Sequence, residues 1–380
     1  VRSATVRDRL QAGGIRRLGS AARGFRYRGA DGSRVSAADV ARIRKLRVPP
    51  AWREVSIARS PRERVQAIGL DAAGRWQYRY DPAHTVRRAK MKFDRLLHFG
   101  AALPTLRRSL RRDLAREGLP MEKAQAAAVM LMSTSALRPG AEEYARDNGT
   151  FGLATLRSDH VDIRGARIRL DFRGKHGIQQ RQEIRSRLLA RLLGEMKRLP
   201  GKELLKYRGD DGGLCDMQRH HVNAYVKQAM GSRFSARDFR TWAATLTAAA
   251  ALKRERETAP STQRAISAAL KETAALLGNT PAVVRNSYIH PGVIDAFRAG
   301  RVVSHAIDRP EGLMGHRQVG LSRPERALLA LVRGTKRRGG GLVPVLRASR
   351  TQARSRKRTA RTAAAPPADP TEPPARAAGE

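Results

Sequence analysis

Cysteine is all but missing from this chain: Cys215 stands alone among 380 residues. A single thiol excludes an internal disulfide framework and a cysteine-rich zinc site, and it suits a reducing cytoplasm. Long apolar runs are missing as well. The nearest, TWAATLTAAAAL, falls short of the ~18 apolar residues a membrane span needs and is rich in Ala and Thr. Acidic residues are scarce relative to basic ones, with 34 Asp and Glu against 76 Lys and Arg, a formal net charge of +42. There is no HExxH, no Gly-rich phosphate loop and no cluster of carboxylates suited to magnesium. His220 and His221 are adjacent, so on a helix their side chains diverge by about 100° rather than sharing a face as a metal pair would. No metal and no small-molecule cofactor is therefore expected.

The charge that is present points to a polyanion, and nucleic acid is the default. Arginine-favouring composition explains Arg over Lys, but not why acids fail to keep pace. A surface of this kind gives salt-sensitive, largely sequence-independent affinity, because each phosphate neutralised releases counterions. At roughly 100–200 residues per domain, the chain accommodates two domains plus tails. Aromatics make up only 5% of the residues, so each that occurs invites a reason.

Residues 1–22 are Arg-rich and poor in acids, and are expected to form a poorly structured basic leader. Residues 23–89 alternate in short runs (FRYRG, WREVSIARS, RVQAIGLD, RWQYRYD) bounded by Gly, Asp and Pro, which predicts a small antiparallel sheet. One helix interrupts it, with Ser36 as N-cap and Pro49-Pro50 as its stop. Residues 90–307 turn helical: Leu96, Leu97, Leu103, Leu106 and Leu110 mark one stripe, and MEKAQAAAVMLMSTSAL predicts a buried helix running up to Arg138. Between helices, HVDIRGARIRLDFRGKHGIQQRQEI predicts a three-strand meander with Lys175 at its second tip. Residues 308–334 are expected to add a short helical extension, and 335–380 a disordered basic and Pro/Ala-rich tail. The fold class expected is α+β, a β-rich N-terminal module followed by a mainly helical one.

Tyr288, in VVRNSYIHP, raises the question of chemistry. The ordinary role for a tyrosine beside Val283, Val284 and Ile289 is packing, with its hydroxyl wet. The alternative is a nucleophile, which needs help because a free phenol has a pKa near 10. Attack on a phosphodiester loads charge onto two non-bridging oxygens and leaves an oxygen to be protonated. Arginine suits the first need through its planar, permanently charged fork, and lysine suits the second. Arg138 directly precedes a helix-breaking Pro139-Gly140, Lys175 sits on a hairpin tip, and Arg240 lies one turn into an apolar helix beside Trp242. Singly, each is more readily a solvated charge or a phosphate contact than a catalytic group.

Together, the strings KLRVPPAWREV, GRWQYRYDP, LRPGAEEYARDNGTFGLATL, FRGKHG, RDFRTWAAT and GNTPAVVRNSYIHP resemble the type IB DNA topoisomerases, in particular their compact poxvirus-like bacterial branch, over about residues 24–307. The resemblance implies a catalytic module of the fold shared with tyrosine recombinases. It makes Tyr288 the nucleophile of a 3′-phosphotyrosyl intermediate, Arg138 and Arg240 the transition-state donors, and Lys175 the general acid for the departing 5′ oxygen. A further donor, often histidine, precedes the tyrosine by nine residues in the family; here it is Asn279, which donates a hydrogen bond but carries no charge. Gln77, Tyr78 and Tyr80 correspond to residues that touch DNA, although a pair of aromatics covering the small sheet is the competing role. The resemblance also implies a monomeric two-domain clamp on double-stranded DNA, cytoplasmic and nucleoid-associated. It would relax supercoils of either sign without ATP or metal. A tyrosine recombinase is the rival enzyme, but it usually has histidine where this chain has Arg237 and a helical N-domain where this chain reads as β. A non-enzymatic, chromatin-like DNA-binding protein is the rival from another class.

Overall fold

The computed structural model describes residues 4–306 and 319–336. Two compact units divide the chain, Val1–Asp94 and Arg95–Glu380. Both are mixed, the first built on a sheet and the second mainly helical, so the α+β class expected from the sequence holds.

The first unit begins with α1 (Val6–Gly13), β1 (Ile15–Ser20), β2 (Gly24–Gly29) and α2 (Ala37–Leu46). It continues with β3 (Arg53–Ile57), β4 (Val65–Leu70) and β5 (Trp76–Tyr80). The strands form one antiparallel sheet in the order β2-β1-β3-β4-β5. The expected unstructured leader is corrected here, because α1 and β1 occupy it and β1 pairs with both β2 and β3. Few residues suffice. Thr5 and Asp8 close a capping box on α1. Leu10 joins Ala58, Val65 and Ile68 in one apolar cluster, while Ile15 joins Ile43, Leu46, Val55, Ile57 and Ala67 in another. Helix α2 starts at Ser36, whose side chain accepts from the Asp39 amide, and stops at Arg47 in the left-handed region, short of the prolines.

The long helix α3 (Pro82–Leu114) leads into the second unit. There follow α4 (Met121–Ser135), α5 (Glu142–Asn148), β6 (Val161–Arg164), β7 (Arg167–Arg173), β8 (Gln179–Arg185) and α6 (Arg187–Lys197). A two-strand ladder of β9 (Lys206–Arg208) and β10 (Leu214–Asp216) precedes α7 (Arg219–Met230), α8 (Ala236–Thr258) and α9 (Thr262–Leu277). The short helices α10 (Pro281–Ser287) and α11 (Pro291–Arg298) come next, and then α12 (Arg323–Lys336). Helix α4 is buried from Ala124 to Ser135, and α8 is buried almost throughout Ala236–Leu252. Helices apolar on all sides belong at the centre of a core, and these two carry the second unit. The three-strand meander forms as expected, in the order β6-β7-β8. On β7 burial alternates strictly, placing Ile168, Leu170 and Phe172 in the core and the arginines outside. The tail lies outside the described residues from position 337 onward.

Candidate active site

Helix α4 stops three residues before Arg138 rather than running up to it. Ala136 adopts a left-handed conformation (φ 52°) and its amide bonds to Met132 O, while Pro139 disfavours a helical Arg138. The loop that follows closes on itself: the Leu153 amide donates to Arg138 O (2.8 Å) and the Ala154 amide to Pro139 O (3.0 Å). Backbones cross closely here. A methyl group on Gly152 would lie 2.7 Å from both Arg138 O and Gly140 Cα, and Gly140 itself has φ +77°. The two glycines of RPG and GTFG are thus what lets this loop lock Arg138 in place. Half-buried, Arg138 donates through Nη2 to Asn279 Oδ1 (2.6 Å) and to Gly278 O (3.3 Å).

Arg240 comes from α8 and is 3% exposed. Its Nη2 donates to Leu277 O (2.8 Å) and its Nη1 to Ala136 O. These carbonyls belong to the C-terminal ends of α9 and α4, where the helix dipoles are negative. Two helix ends therefore hold a buried cation in place of a carboxylate. Among the described residues neither Arg138 nor Arg240 forms a salt bridge, whereas exposed arginines elsewhere do. Burial and the neighbouring Arg138 push the Arg240 guanidinium down to about 10.

Tyr288 caps α10, a seven-residue helix launched by the Thr280 side chain and Pro281. Its amide and that of Ile289 both donate to Val284 O (2.9 Å each). Thr245 Oγ1 on α8 accepts from the His290 amide (3.1 Å) and lies 3.2 Å from Tyr288 O. The backbone is thus held on both sides of the tyrosine. The Arg240 guanidinium stands 5.3 Å from the centroid of the Tyr288 ring. Burial raises the phenol pKa, but Arg240, Arg138 and Arg237 outweigh it and leave the phenol below its ordinary value of 10.0.

Asn279 follows the left-handed Gly278 that ends α9, and its amide donates to Ala274 O (3.0 Å). Its Nδ2 is buried and has no hydrogen-bond partner. Such an orphaned donor asks for an acceptor. Lys175 is exposed on the turn between β7 and β8, beside His176 at φ 63°. It makes no hydrogen bond or ion pair among the described residues. The base of its hairpin is pinned to the site. The Phe151 amide donates to Arg173 O (2.8 Å), Gln182 Nε2 reaches Leu276 O (3.4 Å), and a methyl on Gly278 would strike the Gln180 amide at 2.4 Å. The structure thus gathers Arg138, Arg240, Asn279 and Tyr288, and leaves Lys175 on an adjoining exposed turn.

In the first unit, Tyr78 and Tyr80 share a face of β5 and are 41% and 40% exposed, outside both apolar clusters. Core cover is not their role. Gln77 is occupied by Asp71 (2.9 Å), and Tyr80 stacks on His84. Sequence reasoning missed Thr245, a hydroxyl hidden in an Ala-rich helix. It considered Arg237 only as a departure from recombinases, although a position three residues before Arg240 puts it on the same helix face.

The description "Eukaryotic DNA topoisomerase I, catalytic core" matches residues 83–300, and "Bacterial DNA topoisomerase IB, N-terminal domain" matches residues 24–71. A DNA topoisomerase 1B of Acanthamoeba polyphaga mimivirus is 34% identical over 273 residues, covering 70% of this chain and 81% of the relative. A DNA topoisomerase 1B of vaccinia virus (strain Copenhagen) is 25% identical over 240 residues, covering 61% and 72%. A DNA topoisomerase 1 of Schizosaccharomyces pombe is 31% identical over 151 residues, covering 39% and 18%. The chain belongs to the type IB DNA topoisomerase family. It is a DNA isomerase that relaxes supercoils by transient single-strand cleavage through a 3′-phosphotyrosyl intermediate, rotation and religation.

Proposed function

We propose that Tyr288 is the nucleophile of this cleavage and that the arginines beside it serve the transition state. The phenol, having lost its proton to solvent, attacks phosphorus as the phenolate and forms the tyrosyl ester as the bond from phosphorus to the 5′ oxygen breaks. Arg138 and Arg240 grip the non-bridging oxygens as charge builds on them, and Asn279 Nδ2 supplies a third donor. Lys175 gives its proton to the departing 5′ oxygen, the hairpin turn bringing it to the strand when duplex is bound. Religation runs the same steps backwards, so the ester conserves the bond energy and no ATP is consumed. Gln77, Tyr78 and Tyr80 touch the duplex from the N-terminal unit. The enzyme works as a monomer and associates with the nucleoid.

The observation that carries this reading is a pair of arginines, one fully buried, converging on a tyrosine with only carbonyl and amide oxygens for company. A phosphodiester is the partner they lack. The test is denaturation in mid-reaction on supercoiled plasmid. Protein should be found attached at a 3′ end through Tyr288, and Tyr288→Phe should abolish both adduct and relaxation while duplex binding persists. Relaxation should continue in EDTA and without ATP; strict dependence on magnesium would overturn the assigned mechanism.

A further inference from the structure

Beyond Tyr288 the chain folds back onto the tyrosine's own segment. Helix α12 lies past residues 83–300, the stretch that matches the catalytic core, yet it is built firmly into the second unit. Ala327, Leu328, Leu329 and Val332 are buried in the main core. At its N-terminus Ser322 and Glu325 exchange capping bonds. The Glu325 carboxylate is fully buried and takes both arms of Arg107 from α3, at 2.6 and 3.1 Å, while Arg107 also reaches Gly320 O (2.7 Å). At the other end, Thr335 is buried and its hydroxyl bonds to Val332 O (2.7 Å). That hydroxyl sits against Gly292, in the first turn of α11, where an added methyl would lie 2.6 Å from it and 3.1–3.2 Å from the His290 ring. The Gly292 amide in turn donates to His290 Nδ1 (3.0 Å), two residues from Tyr288, and the His290 amide is bonded to Thr245.

We propose that α12 is a brace that sets the position of the tyrosine segment, anchored by the Arg107–Glu325 pair and bearing on that segment through Thr335 against Gly292. Thr335 and Gly292 are positioning residues: they touch neither DNA nor the phenol, and they act through the backbone from Gly292 to Tyr288. The inference rests on Tyr288 being the nucleophile. Geometry of this kind matters to rate, because displacing a reacting group by on the order of 1 Å costs about 100-fold.

The experiment is single-turnover cleavage of a duplex at saturating enzyme, with duplex affinity measured in parallel. Gly292→Ala should slow cleavage about tenfold or more while leaving affinity unchanged. Adding Thr335→Ala removes the 2.6 Å clash but not the tighter approach to the His290 ring, and should recover about threefold or more of the lost rate. An unchanged rate, a loss that Thr335→Ala does not relieve at all, or a loss matched by an equal loss of affinity would each overturn the brace. Should Gly292→Ala not fold, Thr335→Leu presses on the same contact from the helix side and should give the same selective loss; a wild-type rate there overturns it. The reading of Tyr288 is scored separately in the same assay, by whether Tyr288→Phe still forms an adduct.

Discussion

At the scale of single residues, Arg240 is a buried cation partnered by the carbonyls of Ala136 and Leu277 and by the Tyr288 phenol. In the proposed mechanism, changing it to alanine removes a donor that meets a charge developing only in the transition state. Cleavage should fall by about 100- to 1,000-fold, on the order of 2.7–4 kcal/mol, in a single-turnover assay. Arg138→Ala should cost at least as much, since Asn279 then loses the partner that orients its amide. The phenol makes a second prediction. Its pKa is depressed by Arg240, Arg138 and Arg237 against the effect of burial. The reactive phenolate fraction grows with pH, so the cleavage rate should rise and level off below pH 10. Removing the exposed Arg237 takes away one lowering charge, and Arg237→Ala should move that plateau to higher pH. An unmoved profile would mean that Arg237 does not act on the phenol.

At the scale of elements, the anchor of α12 separates two kinds of loss. Glu325→Ala leaves Arg107 buried and unpaired, and should destabilise the protein by about 3–5 kcal/mol in denaturant unfolding. Arg107→Met with Glu325→Leu replaces the pair by apolar groups, and should leave stability unchanged or raise it. Acid should act through two other joints. His160 Nδ1 accepts the Arg157 amide (3.1 Å), and His221 Nδ1 accepts the Gln218 amide (3.2 Å) at the start of α7. Burial lowers both imidazoles below 6.5. The unfolded chain therefore binds these protons first. Their contribution to stability is complete above pH 6.5 and is lost as pH falls through the lowered folded values. Melting temperature should drop on acidification below pH 6.5, less steeply in His160→Asn.

At the scale of the whole molecule, a net charge of +42 makes phosphate neutralisation the main source of affinity. Duplex binding should weaken linearly in log salt, with a slope of about 0.9 for each phosphate contacted. Tyr288→Phe should keep that slope, because its loss is chemical and not electrostatic. A flat salt dependence would show that the basic excess does not bind DNA.

Much of this was legible in the residues themselves. The α+β order, the meander with Lys175 at its tip, and the unusual settings of Arg138 and Arg240 depend on local signals, whereas Asn279 and the grouping around Tyr288 came from the resemblance to type IB topoisomerases. Alternation, turn glycines, helix-breaking prolines and cations in apolar surroundings act over a few residues, and a reader of the string sees them. Among its described residues, the misjudged segment 1–22 has only Leu10 and Ile15 as buried apolar anchors in an arginine-rich run. Their value comes from a sheet assembled out of strands far along the chain. The end of α4 was similar, since the left-handed turn at Ala136 carries no glycine to announce it. The sequence by itself determined which chemistry was possible: a tyrosine, two arginines, a lysine and an amide, with no clustered metal ligands to suggest another route. Tertiary structure alone decided that the arginines meet the phenol without a carboxylate, because the two terminal nitrogens of Arg240 are held by the carbonyl ends of two helices remote from each other in sequence. It also decided that Thr245 meets the tyrosine's backbone and that Thr335 of α12 packs against Gly292, since those contacts span 43 residues. Burial and long-range hydrogen bonding are properties of the packed chain, and no local pattern encodes them.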